Sequence, residues 1–240
     1  MTPGHAGLIL NESMKTVVGI FLALVASFGT ARAQEGTASE TRMPEAWDYS
    51  SLERALLPRA QGLHPEALHA ALESWGCLNA QGDARRPVLT VIDYGLPSTA
   101  KRLWVFDLAT GHVLFHELVA HGKNSGDDVA ESFSNDDGSL MSSLGAFVTG
   151  ASYDGHNGYS LRLRGTEPLI NDRAEARAIV VHGAAYVSDR VVKSFGRLGR
   201  SFGCPAVRPE VAHALIDAIK DGSVFYAWHP TALMSSTASH

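Results

Sequence analysis

Pro87-Val88-Leu89-Thr90-Val91-Ile92-Asp93-Tyr94 is where the chain changes its period. Downstream of Pro87 come short runs of β-branched and aromatic residues, which fit a pleated sheet better than a helix. Further runs of this kind stand at Leu103–Leu108 and Val113–Ala120, separated by turn residues, and strand-like pieces follow at Gly145–Thr149, Tyr159–Leu163, Ile179–His182 and Val224–Trp228. Upstream, the spacing from Ser50 to Leu78 is helical. Leu52, Leu56 and Leu57 share a face, Pro58 breaks the run, and Pro65 stands near the start of a second helix that ends at Gly76. Near the C-terminus, Pro209–Lys220 places Val211, Leu215, Ile216 and Ile219 on one helical face. Asn124–Ser143 is polar, and its Asn135-Asp136-Asp137-Gly138 reads as a loop. The pattern predicts a single β-rich α+β domain over residues 85–230, preceded by a helical element at 50–84, with no internal repeat.

The ends of the chain read differently. Met14-Lys15, the apolar run Val17–Phe28 and Ala31-Arg32-Ala33 form a short basic region, an apolar region and a small-x-small cleavage site. Residues 1–13 carry Glu12 and no Lys or Arg, so Met14 is a candidate true start. A 12-residue run spans about 18 Å as a helix, short of a hydrocarbon core of about 30 Å, so residues 1–33 are expected to be a removed signal peptide rather than an anchor. No Cys stands at the cleavage site, which does not suit a lipoprotein. Residues 34–49 read as a flexible leader and 231–240 as a flexible tail. The expected product is an exported protein of the periplasm or cell-wall compartment, with no integral membrane segment after processing.

Composition excludes several classes of function. With 240 residues, 45% of them hydrophobic, the chain has enough apolar material for a core, so wholesale disorder is excluded. A net charge of −5 with no basic stripe speaks against nucleic acid as a partner. The 2 Cys allow one bridge at most, so this is not a disulfide-built scaffold.

Chemistry concentrates in Ile179-Val180-Val181-His182-Gly183 and in Gly199-Arg200-Ser201-Phe202-Gly203-Cys204-Pro205. A buried strand ending in His-Gly places an imidazole at the rim of a sheet. Cys204 stands between a residue that permits a tight turn and one that stiffens it. The thiolate is the nucleophilic form of Cys; a nearby imidazole can generate it and later deliver a proton to a leaving amine. Backbone N–H groups around Gly203 and Cys204 would face a developing oxyanion. The residues thus suggest a Cys204/His182 acyl-transfer site. The bland alternatives are a buried Cys204, a Cys204–Cys77 disulfide and a core histidine. Cys77, in helical Trp75-Gly76-Cys77-Leu78 with no base beside it, reads as structural.

His-Gly followed by Ser-x-Gly-Cys resembles the active-site signature of the YkuD-like L,D-transpeptidases, which remodel bacterial peptidoglycan. The series Ala120-His121-Gly122-Lys123-Asn124-Ser125-Gly126, Phe133-Ser134-Asn135, Ser142-Ser143-Leu144-Gly145-Ala146-Phe147, Tyr153-Asp154-Gly155-His156-Asn157-Gly158 and Gly199–Val207 is similar to the murein L,D-transpeptidase catalytic domain branch. The resemblance covers roughly residues 85–230. It implies a β-sandwich catalytic domain with short helices, Cys204 as the thioester-forming nucleophile and His182 as general base and acid. It also implies a backbone carbonyl that orients the ring, with Gly183 the nearest candidate, and an oxyanion side built from Gly203, Cys204 and Ser201. The implied substrate is diaminopimelate-containing murein stem peptides, with no cofactor and with sensitivity to carbapenems. Two departures stand out: a longer His-to-Cys interval, and Ala206 where familiar members carry Arg. Arg200 or Arg208 could take that role on a stem-peptide carboxylate. His121, on a Gly-flanked loop after a strand, either lines the cleft or braces its own loop.

Three other readings compete: a Cys-dependent murein peptidase or amidase with water as acceptor, a non-catalytic wall-binding module, and a metallohydrolase. Against the last, His112 and His116 share a face of one expected strand, but no third ligand clusters with them in the sequence. The oligomeric state is not legible.

Overall fold

The computed structural model describes residues 48–231. The expected signal peptide lies outside the described residues, as do all of the expected leader and tail but Asp48, Tyr49 and Thr231. The described chain runs α1 (Tyr49–Leu56), a 3-10 turn (Leu57–Arg59), α2 (Pro65–Ala80), β1 (Val88–Asp93), β2 (Leu103–Asp107), β3 (His112–Glu117) and β4 (Val119–Ala120). It continues through β5 (Gly145–Gly155), β6 (Gly158–Gly165), β7 (Val180–Gly183), α3 (Asp189–Phe195), β8 (Ala206–Val207), α4 (Pro209–Ile219) and β9 (Val224–Trp228).

The nine strands form one mixed sheet in the order β3-β2-β1-β9-β5-β6-β7-β8-β4. Parallel pairs join β1 to β9 and β7 to β8; the rest are antiparallel. β3 and β4 are the two edges, yet only Leu118 separates them in sequence. A one-residue link cannot cross a flat nine-stranded sheet, since adjacent strands stand about 4.8 Å apart. The sheet is therefore curled until its edges meet, which gives the two-layered, β-rich α+β architecture. It is also why the single run expected at Val113–Ala120 is split at Leu118: the chain leaves one edge and joins the other there.

Among the described residues, two large apolar clusters hold this body, with a smaller third around Leu118, Val187 and Leu198. Inside the curl, Val105, Val119, Phe147, Leu161, Val181, Val207 and Phe225 pack with Leu215, Ile216 and Ile219 of α4. On the outer face, Leu68, Leu72 and Trp75 of α2 and Leu56 of α1 cover Leu89, Val91, Trp104, Phe106 and Val224. The two N-terminal helices thus share a core with the sheet. Asp48 caps α1 by accepting the Ser51 amide, and Pro65 opens α2 where its missing N–H costs nothing. The edges are sewn together by Arg102, 0% exposed, whose guanidinium donates to the carbonyls of Val119 and Leu96 and to His121 Nδ1.

α3 has no apolar stripe and buries none of its residues, so periodicity does not reveal it. Its signals are its caps: Ser188 accepts the Val191 amide, and Gly196 takes the left-handed conformation at φ 70°. The β5–β6 hairpin is longer than expected because its outer half, rich in turn-forming residues, is held by cross-strand pairing rather than by burial.

Candidate active site

β7 carries His182 into the interior between Ser160 of β6 and Ala206 of β8. Its Nδ1 lies 3.0 Å from the carbonyl oxygen of Gly183. A carbonyl only accepts, so Nδ1 holds the ring proton and Nε2 keeps its lone pair. Burial lowers the imidazole's pKa, partly opposed by the Gly183 carbonyl, and this favours the neutral ring.

The nucleophile turn is fixed from several sides. Gly199 N–H donates to Tyr186 O (2.9 Å), Ser201 N–H to His121 O (2.9 Å) and Lys123 N–H to Ser201 O (2.8 Å). Ser201 Oγ donates to Cys204 O at 2.6 Å and accepts the Gly203 N–H at 3.1 Å, closing a ring of bonds around the turn. Gly203 sits at φ 122°, and a Cβ there would stand 2.8 Å from Met141 O and 3.0 Å from Ile179 Cδ1. Conformation and space both demand glycine at this position.

Cys204 Sγ lies 3.7 Å from Ala178 O. Burial pushes the thiol pKa up, and the Val180 N–H and the Arg177 charge oppose this. Cys204, His182, Ser201 and Arg200 line one cavity of about 190 Å³, together with Asn157, Tyr186 and Phe202. Phe202 is 70% exposed, with Lys123 Nζ 5.0 Å above its ring. Burial, with a smaller contribution from Cys204, pushes the Tyr186 phenol up to about 12, so it enters the cavity as a neutral donor.

The other expected site residues fall in distinct places. The Gly203 amide is already engaged by Ser201, whereas the Cys204 amide makes no hydrogen bond among the described residues. Gly183 supplies the carbonyl that holds His182. Arg200 reaches the cavity but also binds Lys123 O, Gly126 O and Asp127 through Nη1. Arg208 makes a two-toothed contact with Glu117 (2.9 and 2.7 Å) and is not among the residues lining the cavity. His121, 0% exposed, accepts from Arg102 at Nδ1 and donates to Gly126 O from Nε2, so it braces the loop. Burial first, and then Arg102, lower its pKa to about 4.

Asn157, Tyr186 and Arg177 were not singled out from the sequence as site residues. Tyr186 follows His182 closely enough to be a candidate by proximity, and Asn157, at a hairpin tip, lies in the Tyr153–Gly158 stretch that carries the resemblance; no local pattern marks Arg177. Both cysteines are free, and Cys77 is exposed with Gln81 beside its sulfur, rather than buried. Among the described residues no three His, Cys, Asp or Glu side chains are placed to hold a metal, and no helix is long and apolar enough to cross a membrane.

In sequence, the family described as L,D-transpeptidase catalytic domain matches residues 59–228, a span that takes in α2 as well as the sheet. No curated protein matches the chain. Among solved structures, the chain is similar to an L,D-transpeptidase from Mycobacterium smegmatis at 18% identity and a TM-score of 0.37, covering 59% of this chain and 58% of that one. It thus spans little more than half the length of that protein. An L,D-transpeptidase from Stackebrandtia nassauensis is 14% identical, with a TM-score of 0.38 and coverage of 76% of this chain and 92% of that one. L,D-transpeptidase 1 of Mycobacterium tuberculosis is 16% identical, with a TM-score of 0.30 and coverage of 52% and 55%.

Proposed function

Because the chain belongs to the L,D-transpeptidase catalytic domain family, we propose that it is an exported enzyme that joins peptidoglycan stem peptides through a thioester on Cys204. The observation that supports this most is the shared cavity of Cys204 and His182, with the imidazole's Nδ1 tied to the Gly183 carbonyl and Nε2 left as the basic nitrogen.

The resting pair is a thiol and a neutral imidazole, since burial raises the pKa of one and lowers that of the other. His182 Nε2 takes the proton as Sγ attacks a donor carbonyl; the S–C bond forms and the carbonyl electrons move to oxygen. The unengaged Cys204 N–H is the donor available to that oxyanion, an interaction worth about 3–4 kcal/mol. The Gly203 amide shapes the turn through Ser201 instead. Collapse breaks the C–N bond, and the amine leaves with the proton from His182. An acceptor amine then attacks the thioester, His182 removes its proton, and the thiolate departs and is reprotonated. Phe202 and the Tyr186 ring give the cavity apolar surface on which a stem peptide would be seated beside the thiol.

The test is turnover on a diaminopimelate-containing tetrapeptide donor with a second stem as acceptor, products being resolved by mass. Crosslinked peptide formed by the wild type and absent with Cys204→Ala supports the proposal. Release of trimmed donor alone would replace it with a peptidase, and no turnover with retained wall binding would replace it with a binding module.

A further inference from the structure

Behind the nucleophile, the chain enters β7 through Arg177 and Ala178. Ala178 has φ 54°, a left-handed conformation that costs a residue with a Cβ about 1 kcal/mol or more. Its carbonyl is the one that meets Cys204 Sγ. The Arg177 guanidinium fans into the 134–143 loop: Nη1 donates to Ser134 O (2.7 Å) and Ser143 Oγ (2.5 Å), and Nη2 to Ser139 Oγ (3.1 Å) and Met141 O (2.8 Å). Met141 O is also the group packed closest to Gly203, and Arg177 Nη2 lies 3.5 Å from the Cβ position of that glycine. The guanidinium therefore stands directly behind the residue that precedes the nucleophile.

All four bonds go to neutral acceptors. Asp136 and Asp137 act on Arg177 only at longer range, and Arg173 opposes them. Asp136 is 84% exposed and reaches toward Arg173 instead. A partly buried cation bonded only to neutral acceptors keeps its field for what lies in front of it. From other elements, His182 and Arg200 share the thiol's cavity, and the charge of an ionised Cys204 acts in turn on Tyr186 and Tyr94, helping to keep both phenols neutral.

We propose that Arg177 is a positioning residue for the acyl-transfer reaction: it clamps the 134–143 loop against the nucleophile turn and supplies the positive charge that favours the Cys204 thiolate. This rests on the reading of Cys204 as the nucleophile. The clamp needs the fork of a guanidinium, whereas the charge needs only a cation, so the two parts separate by substitution.

The experiment follows iodoacetamide alkylation of Cys204 against pH, in the full chain carrying Cys77→Ala, for Arg177, Arg177→Lys and Arg177→Gln, with circular dichroism reporting the fold. Arg177→Gln should move the inflection up by about one pH unit. Below the inflection, alkylation should slow about threefold, the smaller thiolate fraction being partly offset by its greater intrinsic nucleophilicity. Arg177→Lys should keep the wild-type inflection while losing acyl transfer. A Gln profile that coincides with wild type, or a Lys profile displaced as far as Gln, overturns the proposal. Should the Gln variant not fold, the Lys profile decides against the wild type alone: an inflection displaced upward by about one pH unit overturns the proposal. A wild-type Cys204 that neither alkylates nor takes an acyl group overturns the nucleophile reading itself, a result distinct from normal reactivity with an unmoved inflection.

Discussion

Gly203→Ala probes the link between backbone geometry and chemistry. At φ 122° an alanine pays strain of about 1–3 kcal/mol. Its Cβ would also stand 2.8 Å from the Met141 carbonyl oxygen, a backbone atom that cannot swing aside. Taking about 2–3 kcal/mol for strain and contact together, a domain of this size should lose roughly 5–10 °C in Tm. Relief of the clash moves Cys204, the next residue, and a displacement of about 1 Å at a nucleophile costs about 100-fold in rate. The matched control is Gly196→Ala. Its φ of 70° is also left-handed, but a Cβ there meets nothing within 4 Å, so a loss of about 1 kcal/mol with unchanged chemistry is expected. Thermal unfolding and the rate of Cys204 acylation read both arms. Equal acylation rates in the two variants would refute the claim that the Gly203 turn aims the thiol.

Three further perturbations have defined outcomes. His121 is held neutral, with its pKa lowered from 6.5 to about 4. The unfolded chain therefore binds the extra proton between these values, and stability falls by about 3 kcal/mol from pH 6.5 to pH 4 and no further from this group below that. His121→Asn should remove that part of the slope in chemical denaturation series, and identical slopes would contradict it. Ser201→Ala removes the hydroxyl joining Gly203 N–H to Cys204 O and should slow acylation about tenfold while costing about 1–2 kcal/mol, read by stopped-flow and Tm; acylation at the wild-type rate would show the ring of bonds to be dispensable. Arg208→Ala, which leaves the buried Glu117 carboxylate without its two-toothed partner, should leave KM for the donor peptide unchanged and lower stability by about 1–3 kcal/mol. A tenfold rise in KM would return Arg208 to substrate binding.

The strand pattern was legible because the central strands are buried on both faces, so Val88–Ile92, apolar but for Thr90, and Val224–Trp228 read as nearly continuous apolar runs. The crossing at Leu118 was not, because whether two edge strands meet depends on partners far away in sequence. His182 and Cys204 stood out through chemistry and local turn residues. The surroundings that tune them did not: Arg177 is one arginine among many until the fold brings Ser134, Ser139, Met141 and Ser143 around it. His121 and Arg208 show the converse. Each has a residue type suited to a binding site, but Arg102 and Glu117, drawn in by tertiary structure, occupy them instead.

Everything argued for the site converges on an activated thiol at Cys204. Intact-mass spectrometry of the protein lacking residues 1–33, mixed with a carbapenem, tests this beside Cys204→Ala and His182→Ala. A one-to-one adduct on the wild type, absent from Cys204→Ala and formed at least 100-fold more slowly by His182→Ala, is the expected result. An unmodified wild-type protein, correctly folded and with Cys204 reduced, would contradict the assignment of Cys204 as the nucleophile.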